Sequence, residues 1–251
     1  MSLQDEQQPV DPALVAAFAP GGTLRASINL GNPVLANKDP VSGEPVGVSV
    51  DLACELARRL DVKIELVMFE KAATSVAAVR SNEADIGFFA VDPARGEGLL
   101  FTAPYVLIEG SYLVPESSAL TGNAQVDSTG HRIAVGAGSA YDLFLTREIK
   151  QAEIVRFQGA EPALAAVRNG DAEVAAGIRQ VLESETRREP GVRVLPEGFM
   201  VIQQAMATSA SRGARAQSLL ATFAEEMKAS GFVAGALERH RVEGAIVAPA
   251  A

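Results

Sequence analysis

Short apolar runs alternate with amphipathic segments along most of this chain, and this pattern predicts strands that alternate with helices. Residues 86–91, Ile-Gly-Phe-Phe-Ala-Val, form an apolar run too short for a helix. Because it carries no polar side chain, it is typical of a central parallel strand buried on both faces. Asp92 and Pro93 follow, and they place a capping oxygen before a residue whose fixed φ suits a first helical position.

Arg95 lies two residues into this predicted helix. A guanidinium offers a two-pronged donor to a carboxylate, and free N–H groups at a helix start also favour an anion. The sequence therefore predicts an anion site at Arg95. An ordinary surface arginine in a capped turn is the alternative.

The same pattern occurs twice. Residues 77–87, Ala-Ala-Val-Arg-Ser-Asn-Glu-Ala-Asp-Ile-Gly, resemble residues 165–175, Ala-Ala-Val-Arg-Asn-Gly-Asp-Ala-Glu-Val-Ala. In each, a helix ends at a polar link and a buried strand begins. Two similar α/β lobes would place the equivalent loops, 90–95 and 178–180, at one shared cleft. A chance match in an alanine-rich chain is the alternative.

Two longer apolar runs, near residues 106–114 and 199–208, predict strands that cross between the lobes. One lobe inserted into another through two strands forms a hinge. The predicted first lobe is therefore 22–110 plus 206–251, and the second is 111–205. Residues 1–21 are expected to form a disordered tail and a short helix.

Composition and charge exclude several classes of function. The chain has 251 residues, a formal net charge of −9 and no basic cluster, which argues against nucleic acid or an anionic membrane as partner. Its single cysteine, Cys54, is expected to be a buried structural thiol. His131 and His240 lack partners at metal-ligand spacing, so no metal or cofactor is expected. Residues 1–12 lack the hydrophobic core of an export signal.

A second candidate anion site follows a predicted strand at 132–135. Gly136 and Gly138 are too weak a signal for a dinucleotide fingerprint, because Tyr141 occupies the place of the third glycine. Ser139 and Asp142 instead have the spacing of a capping box, with backbone N–H groups available for a small anion. The polar and aromatic candidates for the rest of the cleft are Asn29, Asn32, Phe88 and Tyr141.

Five segments together resemble the family 3 extracellular solute-binding proteins: residues 47–53, Ser81 with Asp85, Pro93 with Arg95, residues 101–105, and residues 138–142. The resemblance implies the type II periplasmic binding protein fold, with two Rossmann-like lobes, two hinge strands and a ligand cleft between them. It also implies that Arg95 binds a ligand carboxylate. Further implications are delivery of a small solute to the membrane permease of an ABC transporter, a monomeric state and a periplasmic location.

Three departures from the family pattern alter the expected ligand. Ala90 and Ala140 replace hydroxyl residues, and Ile178 stands where an aspartate usually binds the α-amino group. An unpaired ammonium in a closed cleft costs several kcal/mol. With Arg95, and Arg179 beside Ile178, the cleft is predicted to prefer an anionic or neutral polar solute over an α-amino acid.

The leading hypothesis is a binding protein without catalysis. An enzyme resembling cyclohexadienyl dehydratases is one alternative, with Asp92 and Glu109 as the available carboxylates. A sensor domain or a cytoplasmic binder without a transporter is another, because no export signal is visible.

Overall fold

The computed structural model describes residues 12–251. The tail predicted for residues 1–11 lies outside the described residues. The helices are α1 Pro12–Phe18, α2 Val48–Leu60, α3 Ala72–Arg80, α4 Pro93–Gly96, α5 Ala140–Glu148, α6 Ala160–Arg168, α7 Arg179–Arg188, α8 Gly213–Ala229 and α9 Phe232–Arg239. The strands are β1 Thr23–Asn29, β2 Asn37–Lys38, β3 Pro45–Val46, β4 Lys63–Phe69, β5 Ile86–Ala90, β6 Leu99–Pro115, β7 Arg132–Gly136, β8 Glu153–Phe157, β9 Val174–Ile178, β10 Val192–Val194, β11 Met200–Ser209 and β12 Ile246–Val247.

The main sheet has the order β4-β1-β5-β11-β6-β9-β7-β8, and β10 and β12 also pair with β6. Strand β1 is parallel to β4 and β5, and β7 is parallel to β8 and β9. Between these two parallel groups lie β11 and β6, which are antiparallel to each other and to their neighbours. Two Rossmann-like lobes are thus joined by two long strands, as predicted. The exact lobe boundaries stay a prediction.

Burial explains why β5 and β9 are central. Every residue of both strands is buried, whereas the edge strand β4 alternates between exposed and half-buried positions. Continuous apolar sequence is typical of a parallel strand that helices cover on both faces. The prediction of a central strand at 86–91 is confirmed, with β5 ending one residue earlier.

Each lobe contains an arginine clamp, in which one arginine bonds a carboxylate through its main-chain N and its guanidinium, and the two clamps have the same geometry. The main-chain N of Arg25 donates to Asp85 at 2.7 Å, and its Nε and Nη2 donate to the same carboxylate at 3.1 and 2.7 Å. Arg132 makes the same three bonds to Glu173, at 2.7, 3.1 and 2.7 Å. Because Asp85 and Glu173 occupy the same place in the two repeated segments, the repeat is structural rather than accidental.

Two sequence expectations about local structure are wrong. Cys54 is exposed, because it lies on the outer face of α2 beside the buried Ala53. No loop spans 178–180, since β9 ends at Ile178 and α7 begins at Arg179. Among residues 12–251, no helix is both long and apolar enough to cross a membrane.

Candidate functional site

Arg95 enters the cleft from the short helix α4. The Asp92 carboxylate caps this helix by accepting from the N–H of Ala94 at 2.8 Å, and Pro93 occupies the first turn. The guanidinium donates from Nη1 to the carbonyl of Ala90 at 3.3 Å. Its Nη2 crosses the cleft and donates to the carbonyl of Gly138 at 3.0 Å. The cap and the end of β5 therefore fix the arginine between the lobes.

Arg95 is a buried cation that forms no ion pair with any described residue. Its relative exposure is 6%. Burial lowers the pKa of Arg95, and the negative charge of Asp92 opposes that shift. The Asp92 carboxylate is itself bonded by Arg147, at 2.8 Å from Nη2. Two carbonyl contacts leave most of the five guanidinium N–H donors unused, so the arrangement favours an anion in the cleft.

The start of α5 forms the opposite wall. Ser139 caps the helix by accepting from the N–H of Asp142 at 3.1 Å. The N–H of Gly138 donates to the Asp142 carboxylate at 2.8 Å, and that of Ser139 donates to the carbonyl of Gly136 at 3.1 Å. The expectation that this whole turn is free to bind an anion is therefore wrong at Gly138 and Ser139.

Two N–H groups at the start of α5 remain available. In the described part of the chain, the amides of Ala140 and Tyr141 donate no hydrogen bond to another residue. Both residues line the same cavity as Arg95. Unpaired N–H groups at a helix start carry partial positive charge. An anion between the lobes can thus contact Arg95 on one side and this helix on the other.

The cavity between the lobes has a volume of about 270 Å³. Drug-sized pockets are larger, about 300 to 1,000 Å³, so this cavity fits a small solute. It collects eight of the ten predicted site residues: Asn29, Asn32, Ala90, Arg95, Ser139, Ala140, Tyr141 and Ile178.

Phe88 and Arg179 are not part of this cavity lining. Phe88 is 3% exposed and packs edge-on against Tyr105, with ring centroids 6.1 Å apart, so it belongs to the core. Arg179 donates to Glu109 at 2.9 Å from Nε and 2.7 Å from Nη2. Its Nη2 also donates to the carbonyl of Pro196 at 2.9 Å. Because the guanidinium of Arg179 is committed to these partners, it adds no second cation to the cavity.

The sequence reasoning missed Gln204, Gln158 and Lys71, which all line the cavity. Lys71 donates from Nζ to Oε1 of Gln158 at 2.8 Å, and this contact joins the lobes at the cavity rim. Gln204 belongs to β11 and pairs directly with Ala90 of β5. Strand alternation in the crossover at 199–208 indicates that successive side chains point to opposite faces, but it does not show which set faces the cleft.

Asn29 and Asn32 differ in what they offer a ligand. Oδ1 of Asn29 accepts from the N–H of Gly31 at 3.0 Å and so stabilises the turn after β1. Asn32 is 8% exposed, and its Oδ1 accepts no hydrogen bond from the described residues. This acceptor is shielded from solvent, so it stays unpaired at a cost in free energy and a ligand in the cavity does not reach it in this arrangement.

A larger groove of about 600 Å³ lies beside α7, and its buried carboxylate, Glu185, is paired with arginines. Arg188, for example, donates from Nη2 to Glu161 at 2.9 Å and to Glu185 at 2.6 Å. Two further arginines of the groove, Arg187 and Arg241, are exposed, so neither is a buried cation like Arg95. Among the described residues, no group of three or more His, Cys, Asp and Glu side chains could bind a metal ion.

Comparison with known proteins supports a family assignment. The profile of the bacterial extracellular solute-binding proteins, family 3, matches residues 32–237. No curated protein matches the chain.

Solved structures with the same fold include a mutant of ArgBP from T. maritima. It is 20% identical, with a TM-score of 0.77 over 92% of this chain and 100% of that one. The L-cysteine receptor of Neisseria gonorrhoeae is 24% identical, with a TM-score of 0.77 over 92% and 94% of the two chains. The ancestral amino acid-binding protein AncCDT-1, a precursor of cyclohexadienyl dehydratase, is 21% identical, with a TM-score of 0.72 over 87% and 95%. At these identities the likeness shows the fold alone.

Proposed function

Because this chain belongs to the bacterial extracellular solute-binding proteins of family 3, we propose that it captures a small carboxylate-bearing solute between its lobes and delivers it to the membrane permease of an ABC transporter. It works as a monomer, outside the cytoplasm. The observation that carries this proposal is the buried guanidinium of Arg95, which has no anionic partner among the described residues.

The ligand carboxylate binds Arg95 from one lobe and the first N–H groups of α5 from the other. Charge-assisted hydrogen bonds of this kind are stronger than neutral ones, and they form only when the lobes meet. The ligand therefore stabilises the closed arrangement because it contacts both walls. Ordinary α-amino acids bind weakly, since the side chain of Ile178 cannot accept from an ammonium and Glu70, at the cavity rim, is paired with Lys38 at 2.7 Å.

We favour binding without catalysis because the carboxylates near the site are committed. Asp92 is bonded by Arg147, and Glu109 by Arg179. The neighbouring AncCDT-1 is itself described as amino acid-binding. Incubating the protein with prephenate and with arogenate tests this part of the proposal: formation of an aromatic product by wild type, lost in Asp92→Asn or Glu109→Gln, would contradict it.

Calorimetric titration with small mono- and dicarboxylates tests the carboxylate site. Arg95→Ala is expected to lose binding, while Arg179→Ala retains it because that arginine bonds Glu109 outside the cavity. Both variants need far-UV circular dichroism and a melting curve as folding controls. Equal affinity of wild type and Arg95→Ala for every bound carboxylate would contradict the proposed site.

A further inference from the structure

Gln204 is a largely buried residue whose carboxamide has no hydrogen-bond partner among the described residues. Its relative exposure is 5%, and its side chain forms no hydrogen bond with any described residue. Buried side-chain amides are usually bonded, because removing an amide from water without a partner costs free energy. Here the amide lines the same cavity as Arg95, so a bound solute can provide that partner.

The pairing of the strands places Gln204 beside the carboxylate site. Gln204 lies directly opposite Ala90 in the β11 and β5 ladder, and side chains of such a pair lie on one face about 5 Å apart. The carbonyl of Ala90 accepts from Arg95. Since Ala90 has only a methyl group, the polar side chain of this cross-strand pair is that of Gln204.

The next residue provides an internal comparison. Gln203 is exposed, because successive side chains of a strand point to opposite faces. The β11 and β6 ladder is also irregular immediately after Gln204. Such irregularities change the direction of nearby side chains. Gln204 therefore faces the cleft, whereas Gln203 faces outward.

We propose that Gln204 determines specificity, and that its carboxamide binds a neutral hydroxyl group of a ligand whose carboxylate binds Arg95. The inference rests on the proposed function. It identifies the ligand class as a small hydroxy acid.

The charges of the cavity support a hydroxyl over an ammonium. Its charged lining residues are Glu70, Lys71 and Arg95, and Glu70 is 73% exposed and paired with Lys38. Lys71 is exposed and bonded to Gln158. The interior thus offers one cation and neutral amides. A ligand with one negative charge and a hydroxyl group can pair with the cation and hydrogen-bond the amides. The ammonium of an amino acid would instead be left without a counter-charge.

Two matched series of probes test the proposal. Propionate, lactate and alanine differ only at the carbon next to the carboxylate, which bears hydrogen, hydroxyl or ammonium, and succinate, malate and aspartate repeat the comparison with a second carboxylate. Calorimetry should rank the hydroxy acid first in at least one series with the wild-type protein. Gln204→Leu should weaken binding of that hydroxy acid about tenfold, the effect of one lost hydrogen bond, and bring it level with the unsubstituted acid.

Gln203→Leu is the matched control, and it should bind like wild type. This inference is overturned if Gln204→Leu binds hydroxy acids like wild type, or if alanine or aspartate binds most tightly. In either case, loss of binding in Arg95→Ala would still support the proposed function. If no probe of either series binds the wild-type protein, or if Arg95→Ala binds unchanged, the proposed function and the inference both fail.

Discussion

Arg147 and Asp92 form a bidentate ion pair between the lobes: Nη1 and Nη2 of Arg147 donate to the two carboxylate oxygens at 3.3 and 2.8 Å. Asp92 is also the N-cap of α4, the helix that carries Arg95. One carboxylate therefore caps the helix that carries Arg95 and contacts the other lobe. Arg147 belongs to the last turn of α5, whose first turn provides the opposite wall of the cavity.

We predict that Asp92→Asn weakens binding of a carboxylate ligand about fivefold, corresponding to about 1 kcal/mol, because it removes the ion pair. Asparagine caps helices as well as aspartate does, so the position of α4 is preserved. The expected loss of affinity is small because the Arg147 side chain is 40% exposed, and solvent weakens the ion pair. Calorimetry at low and high salt measures the effect, which should shrink as salt screens the pair in the wild-type protein.

Arg147→Met provides the matched change on the other lobe, and the double variant should bind like either single variant. Small-angle scattering without ligand gives an independent readout, since both variants should increase the radius of gyration. If the double variant instead loses as much binding free energy as the two single variants together, the two residues act separately.

A second prediction compares the arginine clamps of the two lobes. Asp85 is 1% exposed and bonded by Arg25 and by Arg212 at 2.5 Å, whereas Glu173 is 37% exposed and bonded by Arg132. Asp85→Asn should lower the free energy of unfolding by about 3 kcal/mol, because it leaves buried charge uncompensated. Glu173→Gln should cost about 1 kcal/mol or less. Urea unfolding measures both, and equal losses would contradict the role given to burial.

Two carboxylates are expected to make the stability of the folded protein sensitive to acid. Hydrogen bonds from Arg132 lower the pKa of Glu173 from 4.5 to about 2. Hydrogen bonds from Arg58, and also from Arg59, lower the pKa of Glu55 to about 2, although burial opposes this shift. A carboxylate whose pKa is lower in the folded state stabilises that state fully above its unfolded pKa. Stability should therefore fall as the pH drops from about 5 toward 2.

Glu173→Gln tests the acid prediction, because glutamine does not titrate. The variant should be less stable than wild type at pH 7, and the difference should vanish as the pH approaches 2. Melting curves across this range measure it. A difference independent of pH would exclude titration of Glu173 as its cause.

The repeated segments made the two lobes predictable, because Asp85 and Glu173 recur at one position of the same local pattern. The sequence did not indicate which charged side chains pair with each other. Arg179 follows Ile178 directly, yet it bonds Glu109 on another strand, and only the register of β6 against β9 brings these residues together.

Gln204 was missed for a related reason. Residues 199–208 were predicted as a hinge strand, which says nothing about the face that each side chain occupies. The pairing of Gln204 with Ala90 sets that face, and it joins two strands that are far apart in the sequence. Sequence thus predicted the cation of the cavity from a local motif, while the neutral groups around it arise from contacts between distant segments.

The last prediction tests whether the backbone of α5 binds the carboxylate. Ala140 is the first residue of this helix, a position where proline is favourable and where only the N–H is lost. Ser139 has φ −67° and ψ 165°, an extended conformation compatible with a following proline. Ala140→Pro should therefore keep the melting temperature while weakening carboxylate binding about tenfold, as expected for one charge-assisted hydrogen bond. Ala140→Val adds similar bulk beside the cavity but keeps the N–H, so its affinity separates steric effects from loss of the donor. Unchanged affinity in Ala140→Pro, or equal losses in the two variants, would remove this N–H group from the site and leave Arg95 and the N–H of Tyr141 as its anion contacts.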